Sequence, residues 1–417
     1  MEELPIQITA NILSSLPLVS KLQSREVCKT WRKLIPKPKI GLLYGVSHSK
    51  VTKTEAQFLF SEQNSDNVNN NHVYHDYFGK LTKLDHSLIM PSSPVFKSFM
   101  VGSCNGLVCY ACYESSRICE IKRVYIFNPV TGKQIQIPII NECDFNSYTD
   151  HAIGFGYNRS SNEYKVVRIQ QIVASVLPFQ PVDYCRDVER VQVYILLQGG
   201  TGWRIKTSSI IRNSVLSQLS APVLPLSGIF AGGTLHWIHK HGRKLETIAF
   251  DLKNETFKVL PSIPSVGHGA NHVELMVLGG NLCALEVVPS KHVTIWESCE
   301  YTRKRCRYIF SLIKNGYALR WVTKFSIAWK DYNLIEPIGL AQSDKCLLWY
   351  NVVLSCYDPE ANTLRKLEET LKKFMDDCGP SVYTTARATP HAKSLVPLKL
   401  ETDSGGKSWK EKKSFLY

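Results

Sequence analysis

The sequence contains no run of eighteen apolar residues, so no segment has the composition of a membrane-spanning helix. It has no basic stretch followed by an apolar core and a small-residue cleavage site, and it starts directly into a helical pattern, so secretion is not expected. G-x-S-x-G, H-E-x-x-H and G-x-G-x-x-G segments are absent. Their absence leaves no local pointer to a serine hydrolase, a zinc peptidase or a dinucleotide-binding enzyme. Gly406-Lys407-Ser408 has the ending of a phosphate-binding loop, but Glu401 stands where the leading glycine belongs. Helical periodicity is scarce beyond residue 40, where only Leu364 to Phe374 reads as a helix.

Acid is outweighed by base. Fifty Lys and Arg against 36 Asp and Glu leave a net charge of +14 over 417 residues. That balance admits nucleic acid, acidic proteins or anionic membranes as partners. The positive residues are spread out, however. The densest groups are Arg303-Lys304-Arg305 with Arg307, and Lys407, Lys410, Lys412 and Lys413. They read as solvated faces or an untethered end, with a nuclear-import or acidic-partner patch as the sharper alternative. The thirteen cysteines are odd in number and scattered at strand positions, as reduced, buried thiols of the cytosol or nucleus are. Asn158-Arg159-Ser160 and Asn254-Glu255-Thr256 match glycosylation acceptors, which carry no meaning without secretion.

The densest pattern lies between Leu4 and Ile35. Pro5 suits the first turn of a helix. Ile8, Ile12, Leu13 and Leu16 succeed it at helical spacing as one apolar stripe. Pro17 stops that helix, and Ser20 is placed to cap a short second one carrying Leu22. Val27, Trp31, Leu34 and Ile35 make a third apolar face, ended by Pro36 and Pro38. A unit of about thirty-five residues cannot bury enough surface to be stable alone. Its faces must lie on the rest of the chain or on a second protein.

Leu4-Pro5, Ile12-Leu13, Leu16-Pro17 and Val27-Cys28-Lys29-Thr30-Trp31-Arg32-Lys33-Leu34-Ile35 stand in order and at spacing that resemble an F-box. Gln23-Ser24 departs from that family's usual residues. The resemblance implies three short helices over residues 1–40 that bind the Skp adaptor of an SCF ubiquitin ligase. It implies that Leu4, Pro5, Ile8, Ile12, Leu13, Leu16, Pro17, Leu22, Val27, Cys28, Trp31, Leu34 and Ile35 are adaptor contacts or internal core. An ordinary helical hairpin docked on its own domain is the plainer alternative.

Residues 41–98 hold short apolar runs such as Leu42-Leu43-Tyr44 and Phe58-Leu59-Phe60, suited to strands, and read as a linker or as the first strands of a second, larger domain. From Val101 a unit repeats: an apolar strand, a Gly-containing turn, a second strand with an aromatic or cysteine, and a third ending in a turn. Asn105-Gly106, Gly232-Gly233 and Gly280-Asn281 supply the positive φ of tight hairpins. The unit recurs at roughly forty to sixty residues, the scale of a four-stranded propeller blade.

Gly102-Ser103-Cys104-Asn105-Gly106-Leu107, Phe127-Asn128-Pro129-x-Thr131, Gly154-Phe155-Gly156-Tyr157 with Asn162-Glu163-Tyr164-Lys165-Val166-Val167, Gly233-x-Leu235-His236-Trp237 and Lys393-Ser394-Leu395-Val396 are similar to the F-box-associated domain of plant F-box proteins. That implies a large all-β domain over residues 99–400, a kelch-like β-propeller holding a protein to be degraded, and a basic tail over 401–417. The chain would then be a non-catalytic receptor of the ligase, in cytoplasm or nucleus, contacting a Skp-type adaptor, a cullin scaffold and an unknown target. No membrane, nucleic-acid, cofactor or metal partner is expected. The alternative is a propeller scaffold or nucleic-acid adaptor outside any ligase, using the insertion from Tyr301 to Lys314. Target-binding loops would come from Val173 to Arg186, Ser262 to Asn271 and Tyr301 to Lys314.

Two clusters invite a metal. Cys104, Cys109 and Cys112, with Cys119 beyond, match one iron–sulfur spacing. In a strand, though, residues of opposite parity point to opposite faces, so Cys109 and Cys112 are expected to diverge as buried thiols. His236, His239 and His241 lack a cysteine or carboxylate at ligand spacing, and read as a strand followed by a polar turn. His268 and His272 are read as loop residues.

Overall fold

The computed structural model describes residues 4–16, 18–35, 40–49, 53–62, 82–91, 96–115, 119–137, 147–173, 189–196, 203–206, 226–241, 244–264, 272–278, 280–288, 291–301, 318–328, 335–340, 346–350, 353–358, 363–368, 383–396 and 398. Three helices come first: α1 (Ile6–Ser15), α2 (Leu18–Val27) and α3 (Lys29–Leu34). Pro5 immediately precedes α1, and its carbonyl accepts from the amides of Ile8 (3.0 Å) and Thr9 (3.1 Å). Leu16 turns extended, with ψ of 149°, as a residue before proline must.

Two details differ from the sequence expectation. Ser20 lies inside α2, which starts at Leu18 directly after Pro17, so it caps nothing. Val27 ends α2 instead of opening the third helix. The break is Cys28, extended at φ −155° and ψ 167°, whose Sγ accepts from the Trp31 amide at 3.4 Å and caps α3.

From Ile40 onward every described element is a strand. β1 (Ile40–Ser49) and β2 (Lys53–Glu62) pair antiparallel, and β3 (Thr82–Lys83) and β4 (Leu88–Pro91) share the outer edge of β2. Five antiparallel meanders come next. They are β5 (Phe96–Cys104) with β6 (Leu107–Ser115), β7 (Cys119–Phe127) and β8 (Gln134–Ile137); β9 (Ser147–Asn158) with β10 (Glu163–Val173), β11 (Glu189–Leu196) and β12 (Trp203–Lys206); β13 (Leu226–Ala231) with β14 (Thr234–His241), β15 (Lys244–Asp251) and β16 (Thr256–Leu260); β17 (His272–Leu278) with β18 (Asn281–Val288), β19 (His292–Tyr301) and β20 (Ala318–Ala328); and β21 (Ile335–Leu340) with β22 (Cys346–Tyr350), β23 (Val353–Asp358) and β24 (Thr363–Glu368). The last strand, β25 (Tyr383–Ala392), returns to β1 in antiparallel register, Ile40 opposite Ala392 and Ser49 opposite Tyr383.

The first blade is thus built from both ends of the all-β region. The inner strands β25, β5, β9, β13, β17 and β21 each pack beside the next, and the circuit returns to β25. The described strands thus close into a six-bladed β-propeller. Leu364 and its neighbours to Glu368 belong to β24 instead of a helix, because β23 takes them as its edge partner, Leu364 opposite Tyr357. Residues 369–374 of that expected helix lie outside the described residues.

The core sits between blades. β6 shows why: Leu107, Cys109, Ala111 and Tyr113 face one neighbouring blade, and Val108, Tyr110 and Cys112 face the other. That is strand parity used on both sides. Against the first blade, Phe58 stacks on Phe127 at 5.0 Å and meets Tyr110 edge-on at 5.8 Å. Full burial of side chains this large contributes roughly 2–3 kcal/mol each. An ion network ties the third and fourth blades. The buried Lys165 ammonium reaches Glu255 and the Leu252 carbonyl, both at 2.8 Å, and Arg204 reaches Glu255 at 2.7 Å.

Candidate functional site

The helical module divides its apolar residues into two sets. Leu13, Leu22 and Ile35 are buried, with Leu13 3 % exposed. Leu16, Trp31 and Leu34 are half-buried. Leu4, Pro5, Ile8, Ile12 and Val27 are exposed, at 46 % for Ile8 and Ile12 and 65 % for Val27. The expected single stripe is therefore split, since Leu13 turns inward with Thr9 while Ile8 and Ile12 turn out. Pro17 lies outside the described residues. Sequence reasoning passed over Ile6 and Val19, which are also exposed; their signal is apolar character at positions outside the stripe of Ile8, Ile12, Leu13 and Leu16. The three helices are held by polar ties. Arg25 donates to the Ile35 carbonyl, Arg32 Nε donates to the Arg25 carbonyl at 3.1 Å, and Arg32 pairs with Glu26 at 2.9 Å.

Within the ring, two hollows of about 200 and 260 Å³ share Ile229, Glu274, Leu275 and Arg387 in their walls, and so adjoin in the channel bounded by the inner strands. Arg387 stands on β25. Its Nη1 donates to the Met100 carbonyl on β5 and to Ser227 Oγ on β13, each at 3.0 Å. Nothing local in the sequence marks Arg387, because its setting is made by three strands far apart in the chain.

Residues 42–385 match the F-box associated beta propeller domain, and residues 1–43 match the F-box domain. The chain belongs to the F-box proteins with an F-box-associated β-propeller. An F-box protein of Arabidopsis thaliana is 25 % identical over 394 residues, covering 88 % of each chain. An F-box/kelch-repeat protein of the same plant is 25 % identical over 313 residues, covering 72 % of this chain and 76 % of its own.

In this F-box protein the scattered family fragments converge. Asn128 Nδ2 donates to the carbonyls of Ser394 and Val396, both at 3.1 Å, and its Oδ1 accepts from the amides of Val130 (3.0 Å) and Thr131 (3.3 Å). Leu398 is buried in the core between the second and third blades. A Cβ at Gly106, where φ is +84°, would sit 2.2 Å from the Ser394 Cβ. The Asn105-Gly106 turn, the Asn128-Pro129 turn and the strap formed by residues 393–396 and 398 thus form one clasp over the second blade. The remaining fragments meet at the next junction. The Trp237 ring lies so close to Gly154 that a Cβ there would be 2.8 Å away, and its Nε1 donates to the Ile153 carbonyl at 3.4 Å.

The structure places part of each metal candidate cluster. Cys109 and Cys112 face different blades, as parity required. Burial pushes the Cys104 and Cys112 thiols up to about 12, and Cys109 higher still. Cys119 starts β7, with its side chain outside the described residues. His236 is buried on β14, Nδ1 donating to the Ile229 carbonyl at 3.2 Å, and burial pulls its imidazole down to about 4 against the smaller opposing effect of that bond. His239 and His241 continue β14 opposite Glu246 and Lys244, with side chains outside the described residues. His272 opens β17, while His268 and most of the three expected target loops, the Tyr301–Lys314 insertion among them, fall outside the described residues.

Proposed function

We propose that this chain is the substrate-recognition subunit of an SCF-type ubiquitin ligase. The F-box docks a Skp-type adaptor and through it a cullin scaffold, and the propeller holds the target. Ubiquitin transfer is carried out by the ubiquitin-carrying partner. This chain contributes proximity, raising the effective concentration of target lysines at the activated thioester. The observation that carries the reading is the unpartnered apolar set on the helical module. Ile8, Ile12 and Val27 stand in solvent while Leu13, Leu22 and Ile35 already make the internal core. Ile8 and Ile12, one turn apart on α1, leave an apolar face of so small a module uncovered, and such a face is the mark of an interface. The site of action is the cytoplasm or nucleus, in keeping with free thiols at Cys28, Cys104, Cys109, Cys112, Cys283 and Cys299.

The test is co-purification. Leu4→Ala with Pro5→Ala removes one end of the exposed set and is expected to abolish capture of a Skp-type adaptor, while the thermal melt of the propeller stays unchanged. Undiminished capture refutes the assignment.

A further inference from the structure

We propose that the propeller channel receives a carboxylate, delivered as the side chain of a Glu or Asp on an extended segment of the target. This rests on the receptor reading above and names the chemistry that such a receptor would select.

Arg387 carries the inference. Its two acceptors, a carbonyl and a hydroxyl, are neutral and are both served by Nη1. They fix the guanidinium without neutralising it. No carboxylate among the described residues pairs with Arg387. Glu274 lines the same hollows but is engaged in an interaction of its own. The Nε–Nη2 edge of Arg387, which has no bond to the described residues, is one of the guanidinium edges that takes a carboxylate side-on through two parallel N–H donors. A fixed, half-buried guanidinium loses little freedom on pairing, and the recessed site strengthens the attraction relative to open water.

The surroundings fit a carboxylate-bearing side chain. Ser103 and Thr389 line the first hollow alongside Arg387, and apolar walls come from Phe155 and Met276. The net charge of +14 draws acidic partners toward the molecule. Gly102 faces open space, since a Cβ built there meets nothing within 4 Å.

The test uses the full-length chain without adaptor and a fluorescent pentapeptide, Gly-Gly-Glu-Gly-Gly with blocked termini, read by anisotropy. Its Gln counterpart is the neutral control, and free glutarate is the competitor. The Glu peptide is expected to bind about tenfold more tightly than the Gln peptide, the scale of one charge-assisted contact. Arg387→Gln is expected to erase that preference. Gly102→Leu is expected to erase it too, by filling the hollow with the thermal melt unchanged, and it keeps the test decisive if Arg387→Gln fails to fold. Equal binding of the Glu and Gln peptides overturns the proposal, as does a preference that survives Gly102→Leu. Glutarate binding as tightly as the Glu peptide assigns the channel to a free carboxylate and overturns the target-segment assignment. Adaptor capture is scored in a separate experiment, so failure of the receptor reading and failure of the channel proposal are told apart.

Discussion

His391 shows how a single buried ring couples closure to pH. It is 2 % exposed on β25, shares a 2.8 Å hydrogen bond between Nδ1 and Ser103 Oγ, and keeps Nε2 buried without a hydrogen-bond partner among the described residues. Burial, and secondarily the charge of Lys393, lowers its pKa from 6.5 to about 4. The unfolded chain therefore binds a proton between about pH 6.5 and 4 that the native chain refuses. Stability contributed by the neutral ring is intact above pH 6.5 and declines as pH falls through that window, at about 1.4 kcal/mol per pH unit. His236, lowered likewise to about 4, adds to the slope. Urea unfolding at pH 7 and pH 5 checks this. Relative to the native sequence, His391→Gln is expected to shrink the loss between the two pH values by about 2 kcal/mol. An equal loss in both proteins would mean that His391 does not titrate as its burial dictates.

Helix α1 puts one face to internal use and leaves the other exposed, which separates stability from binding. Leu13→Ala is expected to cost the module about 2–4 kcal/mol, as large-to-small core changes do, and hydrogen exchange in α1 reads that directly. Ile12→Ala is expected to change stability by no more than about 0.5 kcal/mol, yet to weaken adaptor capture about tenfold as a lost interface anchor. Matching effects of the two substitutions on both readouts would contradict the division. The sequence made the apolar membership of this helix legible, because 3.6-residue spacing marks which positions share a broad face. It could not say which of Ile8, Ile12, Leu13 and Leu16 face inward, since that depends on how α2 and α3 cross it. In the strands the parity rule worked better. Cys109 and Cys112 separate as expected, because a period of two leaves no intermediate direction. Leu364 to Glu368 failed for the opposite reason. Its local pattern suits a helix, but β23 offers a hydrogen-bonding edge that local spacing does not register.

At the scale of the whole molecule the decisive contacts are the least local. β1 and β25 pair from Ile40–Ala392 to Ser49–Tyr383, and no periodicity within either stretch announces its partner. The repeating turns announced blades, but their number and the means of closure became visible only once the strands were assembled. Closure then has two parts, the β25 pairing and the Asn128 clasp that holds the strap beyond it. A chain ending before Tyr383 loses both. The β1 edge is left as an open row of backbone donors and acceptors, which templates pairing between chains. The inner ring also loses Arg387 and its bonds to β5 and β13. That truncation is expected to replace one cooperative melt with a broad transition accompanied by aggregation. Asn128→Ala isolates the clasp. It frees two carbonyls and two amides at a site with no exposure, and is expected to cost about 2–3 kcal/mol while the melt stays cooperative, with faster proteolysis near residue 393. If the truncated chain melts in a single transition at the native temperature, the ring does not depend on β25. If Asn128→Ala leaves the proteolysis rate unchanged, the strap is held by Leu398 and its neighbours instead of by the asparagine.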